Sequence, residues 1–267
     1  MVELKELSYK NILKNISYKF ESSKITSIVG PSGSGKTLLF NIITNLVKDY
    51  DGSILINNKD VRKLSKEDYR KIGYLFQYPS DQLFQNTVYE EISFGLKHYH
   101  YKEIKQEKII KDSLKIVSLD EEYLTKNPYN LSYGEKTKVA LATLLSLNPD
   151  IILLDEPTIG LDSKSINNLI KLLNKLKNNY HKTIIIATND INFLSKISDN
   201  VVVINKSEII TSGKKEEILK DIKLLKNNDI AIPKIISFID LVNNKKNIKL
   251  DYTLDMNELI KDIYRNV

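Results

Sequence analysis

The sequence predicts an α/β fold with a mainly parallel sheet covered by helices on both faces, and three observations carry that prediction. Short, nearly all-apolar runs at Lys24–Val29, Ile151–Leu154 and Thr183–Ala187 alternate with stretches of helical period. The residues from Gly30 to Thr37 follow the first of these runs and fit the pattern G-x-x-x-x-G-K-[ST], a loop whose backbone N–H groups wrap a nucleotide's phosphates. The run Ile151–Leu154 ends in Asp155, the position where a phosphate loop needs a metal-holding carboxylate on a neighbouring strand.

Taken in order, residues 2–29 alternate like short antiparallel strands: Val2, Leu4 and Leu7, then Ile16, Tyr18 and Phe20, then the strand entering the glycine loop. A helix begins after the loop with Leu38, Leu39, Phe40, Ile42 and Ile43, and its free N–H groups and positive dipole end favour an anion. Asp51 and Gly52 read as a turn into a strand at Ser53–Asn57, and Ile72–Phe76 reads as a buried strand ending at Gln77. From about Asn86 to Asn127 the pattern is helical and polar, with Ile110, Leu114 and Val117 on one face, as in a helical insertion.

Pro128 closes that segment, and the stretch from Asn130 to Glu135 opens a helix running to about Leu147. The Ile151–Leu154 strand, bounded by Pro149 and Pro157, suits the centre of a parallel sheet. Asp162 can N-cap the next helix, whose apolar stripe is Ile166, Leu169, Ile170, Leu173 and Leu176. A strand at Thr183–Ala187, a short helix around Ile191–Ile197 and strands at Val201–Ile204 and Glu208–Thr211 follow. Residues 227–229 and 243–247 read as loops, Ile235–Val242 as an apolar helix, and Met256, Leu259, Ile260, Ile263 and Tyr264 as a final amphipathic helix. The chain divides into residues 1–222, with a helical subdomain at about 86–147, and a helical extension at 223–267 that docks on the main domain or on a partner.

Composition narrows the classes. With 267 residues, 42% hydrophobic and 28% charged, the chain is globular. It contains no cysteine, which excludes a disulfide framework and a thiolate metal site. No apolar run is long enough to cross a bilayer and no signal-peptide core is visible, so the expectation is a soluble chain or one held to a membrane by something else. Net charge +6 leaves nucleic acid or an acidic membrane surface open, but the lysines are scattered and often flank acids, as a solvated surface requires. His98 and His100 lack nearby acids or cysteines and read as surface residues.

Within the loop, Lys36 is placed to reach the β and γ phosphates, and Asp155 to hold Mg²⁺ with the Thr37 hydroxyl. Glu156, beside the metal acid, is placed to orient and deprotonate an attacking water. The plainer reading of the pair is an acidic turn before Pro157. Ser132 with Glu135 three residues later is a capping box, and stability alone accounts for that pair.

These motifs, in this order, resemble the ATPase subunits of ABC transporters over residues 2–213. Gly30, Pro31, Ser32, Gly33, Ser34, Gly35, Lys36 and Thr37, with Leu38 following, match Walker A; Gln77 matches the Q-loop glutamine. Leu131–Glu135 matches the signature usually written LSGGQ, Asp155 and Glu156 match Walker B, and Gly160–Asp162 matches the D-loop. The wording from Gln77 to Phe84 and from Thr87 to Gly95 is similar to the energy-coupling factor (ECF) transporter ATPases, relatives of cobalt and nickel importer subunits.

The resemblance implies a P-loop NTPase (RecA-like) core with an N-terminal antiparallel β subdomain, an α-helical subdomain and a small C-terminal helical extension that aids dimerisation. It implies ATP and Mg²⁺ as ligands, ATP hydrolysis driving vitamin or metal-ion import, and a place at the cytoplasmic face of the cell membrane. The implied partners are a second, paralogous ATPase subunit, a membrane coupling subunit docked on the segment after Gln77, and a substrate-binding membrane protein. Nucleic acid is not expected. Gln77 would serve the metal and catalysis, Ser132, Gly134 and Asp162 the ATP shared with the partner, and Tyr9 the adenine, unless Tyr9 only packs on the sheet.

Two residues depart from the family pattern. Tyr133 stands where glycine is usual, placing a large side chain where backbone approaches phosphate. Asn189 stands at the switch histidine, where it can donate a hydrogen bond but cannot become cationic. A slowly hydrolysing or non-catalytic ATP-binding subunit of an asymmetric heterodimer is the alternative these two residues raise; a soluble ABC ATPase acting on nucleic acid or ribosomes is a further alternative, which the basic net charge permits.

Overall fold

A computed structural model describes residues 1–246 and 249–266. Three strands, β1 (Val2–Tyr9), β2 (Leu13–Phe20) and β4 (Asp51–Ile56), with the short β5 (Lys59–Asp60), form an antiparallel sheet in the order β2-β1-β4-β5. The remaining strands are β3 (Ile25–Val29), β6 (Ile72–Leu75), β7 (Ile151–Asp155), β8 (Thr183–Ala187), β9 (Asn200–Asn205) and β10 (Glu208–Lys214). They form a six-stranded sheet in the order β10-β9-β3-β8-β7-β6, parallel except where β10 turns back on β9.

β3 therefore does not continue the antiparallel N-terminal strands, as the expectation for residues 2–29 had it. It pairs in parallel with β8, Ile25 opposite Ile184, and with β9, Thr26 opposite Asn200. All five of its residues are buried, as a strand covered on both faces requires. Asp51 and Gly52 belong to strand β4 rather than to a turn; Asp51 pairs with Ser8 across a register shift.

The central strands feed two cores on opposite faces by strict alternation. Ile152, Leu154, Ile184 and Ile186 face one core, which holds α3 (Val88–His98), α4 (Glu103–Ile116), α5 (Tyr133–Ser146) and α6 (Ser163–Tyr180). Ile151, Leu153, Ile185 and Ala187 face the other, shared with α1 (Lys36–Ile43) and the antiparallel sheet. α2 (Lys66–Arg70) is a single capped turn before β6. In α4, Ile110 and Leu114 are fully buried, with Val117 at its C-cap, as the periodicity predicts.

A third cluster joins Val201, Val203 and Leu194 of α7 (Ile191–Ile197) to α8 (Lys215–Lys220), Leu224 of α9 (Ile222–Asn227) and Leu254 of the tail. α10 (Lys234–Lys246) and α11 (Met256–Asn266) then share a small core of Ile239, Leu250 and Leu259. α10 continues through Asn243, Asn244 and Lys245, which the polar composition marks as loop; Asn247 lies outside the described residues. Asn243 earns its place there by bonding both the Leu250 N–H and its carbonyl, at 2.8 and 2.9 Å. Among the described residues, no helix is long and apolar enough to cross a membrane.

Candidate ATP site

The loop joining β3 to α1 is shaped by close approach. A Cβ on Gly30 would lie 1.9 Å from the Ile204 carbonyl oxygen of β9, so only glycine lets the chain leave the sheet there. Gly35 caps α1 without any side-chain bond to the helix's first N–H groups, and the first turn holds no acid. Those donors stay available to an anion at a positive helix end. The Lys36 ammonium, only 8% exposed as a residue, curls back to donate to the Gly30 and Pro31 carbonyls at 2.7 and 3.1 Å. Burial pulls its pKa down, opposed by the Glu156 and Asp155 carboxylates.

Opposite the loop, the C-terminal end of β7 delivers both acids. Asp155 is buried, and its Oδ2 has no hydrogen-bond partner. Burial pushes its carboxyl up, against the Thr37 hydroxyl and the Lys36 ammonium, which favour the charged form. A buried carboxylate with an unpartnered oxygen beside a threonine hydroxyl is a donor set that suits Mg²⁺, which takes one or two carboxylates and completes its shell with phosphate and water. Among the described residues no cluster of three or more acid or histidine ligands forms a metal cage elsewhere.

Glu156 takes a positive φ of 46°, a strained placement for a non-glycine residue. Three bonds fix its carboxylate. Thr188 Oγ1 donates to Oε2 at 2.9 Å, and the Asn189 N–H donates to Oε1 and Oε2 at 2.9 and 3.2 Å. Burial raises its pKa towards the working range of a general base, with the Thr188 bond and Lys36 opposing.

One cleft of about 450 Å³ is lined by Tyr9, Lys10, Ile12, Ser32 to Leu38, Gln77, Asp155, Glu156 and Asn189. It brings together most of the residues expected to hold ATP, including the aromatic Tyr9. Gly30 and Pro31 stand behind it as acceptors for Lys36. Ser132, Gly134 and Asp162 are not among its lining residues. Ser132 accepts from the Glu135 N–H at 3.4 Å and donates to Glu135 Oε2 at 2.7 Å, closing the capping box at the start of α5. Asp162 N-caps α6 by accepting from the Ser165 N–H at 2.6 Å.

The Asn189 side chain is exposed at the cleft edge, and its contribution to Glu156 runs through backbone. Thr188 is the residue that sequence reasoning missed. Its only signal was its position directly after an apolar strand and one residue before Asn189. Tyr133 does not project from the signature turn: its hydroxyl donates to the Gln77 carbonyl at 2.6 Å, so its bulk is taken up within its own chain.

A phosphate loop, a Walker B acid pair and a Q-loop glutamine thus meet at one cleft, with a signature-type helix start on the same chain. Residues 13–159 match the family model described as ABC transporter. The chain is 33% identical, over 98% of its length and 96% of the relative's, to the energy-coupling factor transporter ATP-binding protein EcfA of Methanocaldococcus jannaschii. The chain belongs to the ATP-binding subunits of ECF-type ABC transporters.

Its relatives include the EcfA2 protein of Ligilactobacillus salivarius, 35% identical over 85% of this chain and 80% of that one. Among solved structures, cbiO1 of Clostridium perfringens, described as part of the ABC transporter complex cbiONQ, superposes with a TM-score of 0.74. That match has 31% identity over 90% of this chain and 98% of the other. A dimeric ATP-binding cassette in a post-hydrolysis state with ADP and Pi matches with a TM-score of 0.74 and 32% identity, over 80% and 99% of the two chains. This ECF-type subunit is accordingly an ATPase whose hydrolysis is coupled to transport.

Proposed function

We propose that this ECF-type ATPase holds Mg²⁺-ATP in the cleft, hydrolyses it with Glu156, and drives uptake of a vitamin or metal ion through a membrane coupling subunit at the cytoplasmic face of the cell membrane. The observation that carries the reading is the meeting of Lys36, Gln77, Asp155 and Glu156 around one cleft. The loop N–H groups from Gly33 to Leu38 cradle the phosphates, and Lys36 exchanges its carbonyl partners for phosphate oxygens. Thr37, Asp155 and Gln77 would hold Mg²⁺, which would offset the negative charge of the phosphates. Glu156 accepts the proton of the attacking water, its carboxylate aimed by Thr188 and the Asn189 backbone. Tyr9 stacks on the adenine.

ATP occupies half of a site in this reading. Ser132, Gly134 and Asp162 serve the nucleotide of a second, paralogous ATPase subunit, in keeping with their place outside this chain's own cleft. The dimeric cassette and the cbiONQ complex among the structural relatives support such an assembly. Exposed Tyr78, Phe84 and Phe94 after Gln77 suit docking of the coupling subunit. Phe238, Leu241, Met256, Ile260 and Tyr264, exposed on α10 and α11, suit contact between ATPase subunits.

Asn189 favours unequal sites. Loss of one transition-state donor is worth about 3 kcal/mol, or roughly 10²- to 10³-fold in rate, so this chain's ATP is cut more slowly than the partner's. Purifying the chain from membranes in mild detergent tests the assembly: two membrane proteins and a second ATPase support it, and a solitary dimer refutes it. Turnover of that complex with Glu156→Gln, compared with the equivalent change in the partner, tests the asymmetry. Equal losses refute it.

A further inference from the structure

Tyr133 links three segments that the sequence keeps far apart. Its phenol donates to the Gln77 carbonyl oxygen at 2.6 Å, just beyond β6. Its ring lies against Gly160, beyond β7: a Cβ built on Gly160 would stand 2.3 Å from Tyr133 Cδ1 and 3.0 Å from Cγ. Gly160 also needs a φ of +69°, so residue 160 is glycine both for conformation and to admit the ring. The next residue of α5 tightens the same contact, since a Cβ on Gly134 would lie 3.2 Å from the Gly160 carbonyl oxygen. A glycine at position 133 would make neither the hydrogen bond nor the ring contact. Burial, with Tyr78 and Asp81 nearby, raises the phenol's pKa and keeps it a donor across the physiological range.

We propose that Tyr133 is a positioning residue for the ATPase cycle, a strut that makes the Gln77 backbone and the Gly160 loop move together with the N-terminus of α5. Gln77 lines this chain's own ATP cleft, whereas Ser132 and Gly134 at that helix end are read above as serving the partner's ATP. The strut therefore carries the state of one nucleotide site to the surface presented to the other, and this last step rests on that reading. The departure from glycine at position 133 becomes a gain of internal coupling rather than an obstruction.

Tyr133→Phe removes the hydroxyl and keeps the ring; Tyr133→Gly removes both contacts. Amide hydrogen exchange on the full chain, with and without ATP, reads the strut directly. In Tyr133→Phe, exchange at Gln77, Tyr78, Gly160 and Leu161 is expected to rise together by about fivefold, the worth of one net hydrogen bond, and by more in Tyr133→Gly. The affinity of the full chain for ATP is expected to stay within about twofold, because Lys36 and its loop are untouched. In the assembled transporter, kcat falls by about fivefold in Tyr133→Phe with KM for ATP unchanged. Unchanged exchange at Gln77 and Tyr78 in Tyr133→Phe, or a rise confined to α5, would overturn the strut. A normal kcat alongside raised exchange would overturn its role in the cycle. The exchange measurement needs no partner, so it fails or succeeds independently of how the partner's ATP is held.

Discussion

Thr188→Val isolates the aim of Glu156, the proposed general base, from everything else in the site. The threonine is fully buried, and valine fills nearly the same volume, so the change removes a hydroxyl and little packing. Two bonds are lost: the 2.9 Å donation to Glu156 Oε2, and the 3.0 Å acceptance from the Asp190 N–H. A hydrogen bond to a charged group contributes about 1.5–3 kcal/mol, and the orphaned N–H of Asp190 adds to the loss. The Asn189 N–H still holds Glu156 at 2.9 Å, which limits the misplacement. The expected result is a kcat lowered about 10- to 100-fold with KM for ATP within a factor of about two, since no phosphate contact changes. Steady-state ATPase of the assembled transporter whose partner subunit carries the equivalent of Glu156→Gln, so that only this chain's site turns over, measures both, with a thermal melt to confirm folding. A kcat within twofold of wild type in a folded variant would refute the claim that Thr188 aims the base, and a raised KM at unchanged kcat would move its role to binding.

Gly30→Ala forces a Cβ to within 1.9 Å of the Ile204 carbonyl oxygen, so we expect a loss of more than about 2 kcal/mol of stability, seen as a lowered Tm, and weakened ATP binding. Asp155→Ala removes the buried carboxylate proposed for Mg²⁺; ATP affinity measured in Mg²⁺ should drop to the value measured in EDTA, whereas wild type should distinguish the two. Glu135 accepts from the Tyr123 hydroxyl and from Ser132, which lower its pKa from 4.5 to about 2 in the folded chain. A lowered folded-state pKa means its stabilisation is complete above 4.5 and is lost as the pH falls towards 2. The denaturation midpoints of wild type and Glu135→Gln should accordingly converge as the pH drops through that window.

Local chemistry made the nucleotide half of the site legible. A glycine loop between a buried strand and a helix, and an acid pair ending another buried strand, are features whose placement follows from their immediate neighbours. The Asp162 cap and the Ser132–Glu135 box are equally local, and both are present. What escaped depends on residues distant in sequence. Ile25–Val29 reads as a strand, but its partners are residues 184–187 and 200–203, so its sheet could not be inferred from the alternation of its neighbours. Thr188 reaches Glu156 only because β8 lies beside β7, with Asp155 opposite Ala187. Tyr133 looked obstructive because its identity shows its size but not the direction taken by its ring, which Gln77 and Gly160 determine. Asn243 and its neighbours looked like loop by composition, and their helix is held by a side-chain bond across to Leu250.

The proposed mechanism turns on one step, the cutting by Glu156 of ATP held on the Lys36 loop of the same chain. It is tested most directly by single-turnover hydrolysis of radiolabelled ATP in the assembled transporter carrying Glu156→Gln in this chain alone. ATP bound to this chain, trapped by photo-cross-linking after the turnover, should be recovered uncut while the partner's ATP is consumed. Conversion of this chain's bound ATP to ADP at the wild-type rate would contradict the mechanism.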